Sequence, residues 1–238
     1  MPLISIAIET SCAQGGAALG RDGCLERTID FDASSRHATT LVGHLRALLS
    51  DAGLRPGDLG ELYVSIGPGS FTGVRVGVTV ARTLAQAVPS LRCVAVPTTL
   101  VVAHRVAAME WRHLAVVLDA RQGEIHASLF IRQGQDIVPA AQSVLITPQE
   151  FLASSPRPLL LTGEGLGYHS MIGDGVAMVD PSLRLPTAEG VWRVGRNLAG
   201  TGQFSDYHHI LPVYARNPHV TCHGKTTADG GRDTETRV

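Results

Sequence analysis

Apolar and polar positions fall into two successive series of short strands and helices. Residues 3–8 form a continuous apolar run of strand length. Residues 17–19 and 24–29 read as the next two strands, joined by Arg21-Asp22-Gly23, a hairpin signal. A helix is predicted over 35–52, where Leu41, Leu45, Leu48 and Leu49 make one apolar stripe and Gly53 supplies the stop. Residues 62–66 read as a buried strand, 74–88 as a helix and 93–96 as a short strand. Pro97-Thr98-Thr99 is the expected boundary.

The second series is less sharply patterned. A helix is expected over 100–109, strands over 114–118 and 125–131, and a helix start at Thr147-Pro148-Gln149-Glu150 with Pro in the first turn. A buried strand over 159–161 precedes Gly163-Glu164-Gly165, and 188–201 is the last helix expected. Two α/β units in series, each with a strand hairpin near its start, fit the duplicated architecture of actin, hexokinase and the heat-shock ATPases. The predicted fold class is therefore α/β, two-domain and actin-like, a duplicated ribonuclease H-like unit. Its halves span 1–97 and 98–216. Residues 217–238 are polar and Gly-rich without periodicity, which reads as a disordered tail.

The most specific word is Gly67-Pro68-Gly69-Ser70-Phe71-Thr72-Gly73-Val74-Arg75-Val76-Gly77, set between the strand at 62–66 and the following helix. Such a strand-to-helix turn aims backbone N–H groups at one point beside the positive end of a helix, which suits an anion or a close-packed backbone. No Gly-Lys-Ser/Thr follows, so it is not a P-loop, and the glycine spacing does not fit a dinucleotide fingerprint.

This stretch resembles the signature of the TsaB (YeaZ-like) family of bacterial tRNA threonylcarbamoyladenosine synthesis. The resemblance covers residues 3–216, anchored also by Glu9-Thr10-Ser11, Asp119-Ala120-Arg121 and Pro212-Val213-Tyr214-Ala215-Arg216. The family more often carries Asp at position 9 and Leu at 215. The resemblance implies a non-catalytic subunit that supports a TsaD-type threonylcarbamoyltransferase, with a TsaE-type ATPase as a further partner and a homodimer when the chain is alone. It implies contact with tRNA only as part of the complex, and no cofactor of this chain's own, since ATP and a metal ion belong to the complex.

Composition agrees with a soluble globular chain. Of 238 residues, 44% are apolar and 17% charged, and the net charge of −1 argues against a chain that grips nucleic acid by itself. Arg105, Arg112 and Arg121 lie within a short span and read as a solvated surface. Four scattered cysteines without a Cys-x-x-Cys read as reduced thiols. With no signal-peptide pattern at the start and no apolar run of spanning length, the expected location is cytoplasmic and away from membranes.

Candidate chemistry divides into two groups. Glu9, Thr10, Ser11, Gly67, Gly69, Ser70, Asp119 and Arg121 are the candidate nucleotide- or anion-binding residues. In actin-like ATPases the first of these corners holds an Asp that meets metal and phosphates. Asp119 and Arg121, two apart, can pair or present one charge each; a structural ion pair is the plainer reading. No catalytic residue is assigned. The sister family, TsaD, resembles this chain at Glu9-Thr10-Ser11-Cys12 but binds metal with two histidines four apart in a helix. Here His104 and His113 are nine apart and His37 and His44 seven apart. His219, Cys222 and His223 have the spacing but lie in the tail, where chance explains them. Ser70 lacks a Gly-x-Ser-x-Gly elbow, so no serine hydrolase is read. The alternatives are a stand-alone actin-fold ATPase or kinase using Glu9 and the Gly67 turn and, less favoured, a glycoprotease-like metallopeptidase, which would require a bound divalent metal.

The second group is a docking face. Gly73, Gly77, Ala81 and Ala85 recur every four residues and give a low ridge that another helix can approach closely. With Val74 and Val78, and with His37, Leu41, His44 and Leu45 on the preceding helix, they are the expected partner-binding residues. In TsaB relatives these two helices dock on the catalytic subunit, or on a second copy of the chain.

Overall fold

A computed structural model describes residues 2–32 and 37–216; the tail at 217–238, with His219, Cys222 and His223, lies outside the described residues. Two mixed sheets carry the fold. The first contains β1 (Ile4–Glu9), β2 (Gln14–Arg21), β3 (Cys24–Asp32), β4 (Leu59–Ser65) and β5 (Arg92–Val96), in the order β3-β2-β1-β4-β5. The second contains β6 (His113–Asp119), β7 (Ile125–Gln133), β8 (Asp136–Pro139), β10 (Leu159–Thr162) and β11 (Val176–Met178), in the order β11-β10-β6-β7-β8, with β9 (Val144–Ile146) paired to β7.

The two sheets share one plan. In each, the first three strands form an antiparallel meander; a parallel pair then extends the other edge, β4 beside β1 and β5 beside β4 in the first sheet, β10 beside β6 and β11 beside β10 in the second. This duplication is the two-domain actin-like, ribonuclease H-like arrangement that the sequence pattern predicts. The β2–β3 hairpin closes over Asp22 and Gly23, both at positive φ, so that Arg21 pairs with Cys24.

Parity along the strands decides which side each residue faces. Ile4, Ile6 and Ile8 of β1 face one side, where they meet α1 (His37–Asp51) and α2 (Phe71–Ala87) in the larger core. Ala7, with Ala18, Tyr63, Val94 and Val96, faces the other side and packs against α5 (Ala188–Gly200). So α5, which follows the whole second sheet in sequence, closes the far face of the first. It sits close because two glycines leave room. A Cβ on Gly195 would collide with the Tyr63 ring, and one on Gly20 with the Trp192 indole. The indole Nε1–H donates to Ser5 Oγ at 2.9 Å, which satisfies its one donor. Two further helices, α3 (Thr98–Arg105) and α4 (Pro148–Ser154), complete the α/β layers; the α4 start is capped by Thr147 and Glu150.

The small-residue ridge is not the docking face that its spacing suggests. Gly73, Val74, Gly77, Val78, Ala81 and Ala85 are all buried against the chain's own first sheet, as are Leu41 and Leu45 on α1. A Cβ on Gly77 would strike the Thr10 hydroxyl. The ridge admits a close neighbour, and the neighbour is β1. His44 is half-buried, with its ring stacked on Phe31 at 4.9 Å, and the His37 side chain lies outside the described residues. The outward faces of the two helices are formed by other residues, among them Val42 (54% exposed) and Phe71 (46% exposed).

Trp192 is the keystone of the α5 face, so Trp192→Ala is expected to lower unfolding free energy by about 3–5 kcal/mol. Guanidinium unfolding followed by circular dichroism measures it; a loss below about 1 kcal/mol would contradict the packing described.

Candidate functional site

The carboxyl end of β1 and the glycine turn form one structure. The Ser70 N–H donates to the Ser11 carbonyl at 2.7 Å, and Thr10 Oγ1 donates to the Gly73 carbonyl at 2.8 Å. Gly69 and Gly73 stand where side chains cannot: a Cβ on Gly69 would fall on the Ser11 carbonyl oxygen, and one on Gly73 on that of Thr10. Ser70 caps α2 by accepting the Gly73 N–H. Gly67, at φ 100°, lies under the Val213 carbonyl, and its own carbonyl accepts the Thr98 N–H. The turn receives a packed backbone here, and the Ser70 amide is engaged by it.

Glu9 lies behind that turn, fully buried. Its Oε1 accepts the Ser11 N–H at 2.5 Å and the Ser11 hydroxyl at 2.6 Å, while Oε2 has no hydrogen-bond partner. Burial pushes its carboxyl above the ordinary range, with the Ser11 bonds opposing. In this geometry Glu9 braces the turn beneath the surface; it does not face open solvent as a metal-contacting carboxylate would.

In front of the turn a cleft of about 720 Å³ separates the two sheets. Ser11, Gly69, Ser70, Asp119 and Arg121 line it, whereas Glu9, Thr10 and Gly67 do not. Asp119 ends β6. Its Oδ1 meets His169 Nε2 at 3.0 Å and accepts the Arg121 N–H at 3.1 Å, and its Oδ2 pairs with Arg121 Nε at 3.3 Å. Burial alone would raise the Asp119 carboxyl, but the bonds from His169 and Arg121 and their charges hold it below its usual range. Arg121 is outside the strand, at positive φ, with its side chain 82% exposed and 6.0 Å from the Tyr168 ring centre. Glu164 accepts the Asp119 N–H at 3.3 Å, and burial raises its carboxyl.

The chain's last described segment crosses this cleft. The Val213 N–H donates to the Ile66 carbonyl at 2.7 Å, Tyr214 packs on Phe71 with ring centres 4.8 Å apart, and Arg216 pairs with Glu124 of the second sheet's hairpin. His169 and Tyr168 carry no sequence signal, since they reach the cleft only through the turn after β10. His104 and His113 are on different elements, α3 and β6, and His113 Nδ1 contacts the Pro158 carbonyl at 3.2 Å. Among the described residues no group of three His, Cys, Asp or Glu is placed to hold a metal ion, and no helix is long and apolar enough to cross a membrane.

The family model described as TsaD, tRNA N6-adenosine threonylcarbamoyltransferase, matches residues 31–180. The chain is 30% identical to the tRNA threonylcarbamoyladenosine biosynthesis protein TsaB of Bacillus subtilis, over 70% of this chain and 73% of that one. It is 26% identical to the Escherichia coli TsaB, over 89% and 94%. Among solved structures, YeaZ from Pseudomonas aeruginosa superposes with a TM-score of 0.77 at 25% identity, covering 89% of this chain and 99% of that one.

The buried Glu9 sets a pH dependence. A carboxyl whose folded value lies above 4.5 keeps its proton longer folded than unfolded, so the stability that this one group contributes is fully present below the unfolded value and is lost as pH rises through the folded one. Glu9→Gln retains the acceptor for Ser11 and cannot ionise. Its unfolding free energy relative to wild type is expected to rise from pH 4.5 toward neutrality, read from urea midpoints; parallel curves would contradict this.

Proposed function

The chain belongs to the TsaB (YeaZ-like) family, within the wider group that the TsaD model describes, and on that premise we propose that it is an accessory subunit of tRNA N6-threonylcarbamoyladenosine synthesis. One observation carries the non-catalytic part of this reading. The corner that would meet metal and phosphate in an actin-fold ATPase is plugged by the chain's own glycine turn, with Glu9 sealed behind it. Phosphoryl transfer needs carboxylate, metal and phosphate in one open place, and here the Ser70 amide and the Glu9 carboxyl are turned inward.

The subunit acts by holding a TsaD-type transferase in its productive form. The docking surface is the outward side of α1 and α2. A shallow groove of about 320 Å³ runs along Phe71, Thr72, Arg75, Val76, Thr79 and Val80, and Val42 adds an exposed apolar side chain on α1. Exposed apolar surface with a polar rim marks an assembly site. The same face joins two copies when the transferase is missing. A TsaE-type ATPase supplies nucleotide turnover, ATP and the metal ion belong to the assembled complex, and tRNA is engaged through it, in the cytoplasm.

Co-purification with the TsaD-type subunit, followed by a tRNA modification assay with and without this chain, tests the reading. Modification that requires both chains supports it; full modification by the partner alone, or ATP hydrolysis by the isolated chain that Glu9→Gln abolishes, overturns it. For the surface, Thr79→Glu and Val42→Asp are each expected to weaken the heteromer at least about ten-fold, roughly 1.4 kcal/mol. Their thermal unfolding should match wild type. Unchanged affinity by calorimetry would exclude the outer α1–α2 face.

A further inference from the structure

A second groove, of about 430 Å³, lies on the opposite side of the first sheet, between α3 and α5. Its lining differs in chemistry from the interlobe cleft. Three guanidiniums border it, those of Arg105, Arg193 and Arg196, together with Asn197 and Thr187, against Glu189 as the one lining carboxylate. Glu189 pairs with Arg193 at 2.8 Å. Arg105 and Arg196 make no ion pair among the described residues. Arg105 donates through one terminal nitrogen to the Ser182 carbonyl, while its buried Nε has no hydrogen-bond partner. Arg196 lies 5.7 Å from the Trp192 ring centre, a contact that holds a guanidinium without neutralising it. Two charges of one sign thus stand uncompensated on a chain whose net charge is −1.

Position adds to this. Because α5 covers the sheet face carrying Ala7 and Tyr63, while α1 and α2 cover the face carrying Ile6 and Ile8, the groove stays open when a partner seats on α1 and α2. Guanidiniums without a carboxylate partner, beside neutral hydrogen-bonding side chains, match phosphate oxygens better than any apolar or cationic ligand. We infer that the α3–α5 groove is a phosphate-contact surface for RNA, through which this chain helps the assembled complex hold its tRNA by the backbone. The inference rests on the function proposed above for the identity of the RNA. It also separates Arg105 from Arg112 and Arg121, its neighbours in sequence: Arg112 borders a different hollow, beside β10, and Arg121 the interlobe cleft.

The test uses the complex of the full chain with the TsaD-type subunit, first shown by gel filtration to assemble with each variant. Failure of the wild-type chain to assemble would count against the proposed function, not against this groove. tRNA affinity is then measured by filter binding across salt concentrations for wild type, Arg105→Gln/Arg196→Gln and Arg105→Lys/Arg196→Lys. The Gln pair is expected to bind about ten-fold more weakly near 0.1 M salt. Its slope of log affinity against log salt should be shallower by about one for each charge removed. The Lys pair, which keeps both charges, should recover most of the slope. Equal affinity and slope in wild type and the Gln pair would overturn the inference, as would a loss of affinity without a change of slope. Calorimetry with inorganic phosphate separates the other source of the same chemistry. Phosphate binding that the Gln pair abolishes while tRNA binding is untouched would make the groove a small-anion site and overturn the RNA assignment.

Discussion

The end of the first strand and the glycine turn approach each other so closely that no side chain fits between them. Carbonyl oxygens of Thr10 and Ser11 occupy the places where Cβ atoms of Gly73 and Gly69 would stand. The Ser70 amide and the Thr10 hydroxyl then fasten the two segments together. Since Ser70 also caps α2, the same contact sets where that helix begins and how it lies on the sheet. The burial of Glu9, the exposed face of α2 and the floor of the interlobe cleft all follow from it.

One consequence is a division of labour between the two faces of the first sheet. On one, strand side chains of alternate parity meet α1 and α2, whose inner stripes are fully used by the core. Any partner must therefore read the outer surface, where Val42, Phe71, Val76 and Val80 provide moderate apolar area between polar groups. On the other face, α5 returns from the far end of the chain and seals the sheet with Trp192, leaving the arginine-lined groove beside α3. The interlobe cleft is bridged by the 213–216 segment, which is tied to the first sheet's loop at Ile66 and to the second sheet's hairpin at Glu124.

Much of this was legible in the sequence. Period-two and buried apolar runs place the principal strands, the leucine stripe at 41–49 places α1, and Thr147-Pro148-Gln149-Glu150 places α4. Two strand series with hairpins gave the duplicated fold because each unit's order is encoded locally. The short strands β8, β9 and β11 were not legible, since three or four residues are too few to establish a period. The small-residue ridge was legible as a close-approach surface but not as to its neighbour. A ridge of Gly73, Gly77, Ala81 and Ala85 suits a second helix and a strand end equally, and the deciding contact, Thr10 with Gly73, joins residues 63 positions apart. The attachment of α5 to the first sheet escaped for the same reason, because an amphipathic helix records that it has an inner face and not which sheet that face meets. At the cleft, Asp119-Ala120-Arg121 stood out as a word of the resemblance; the two charges do pair, but from beyond the end of β6 and not from one strand face. His169, by contrast, reaches Asp119 from 50 residues away with no motif to announce it.

The most direct measurement is hydrogen–deuterium exchange of the isolated chain, with and without magnesium ATP, read at the amides of Ser11, Ser70, Gly73 and Val74. If the strand end and the glycine turn engage each other, these amides are slow in the free chain and nucleotide leaves them unchanged. Fast exchange there in the free chain that becomes protected on adding ATP would show the turn to be a phosphate cradle, contradicting the structural role assigned to it.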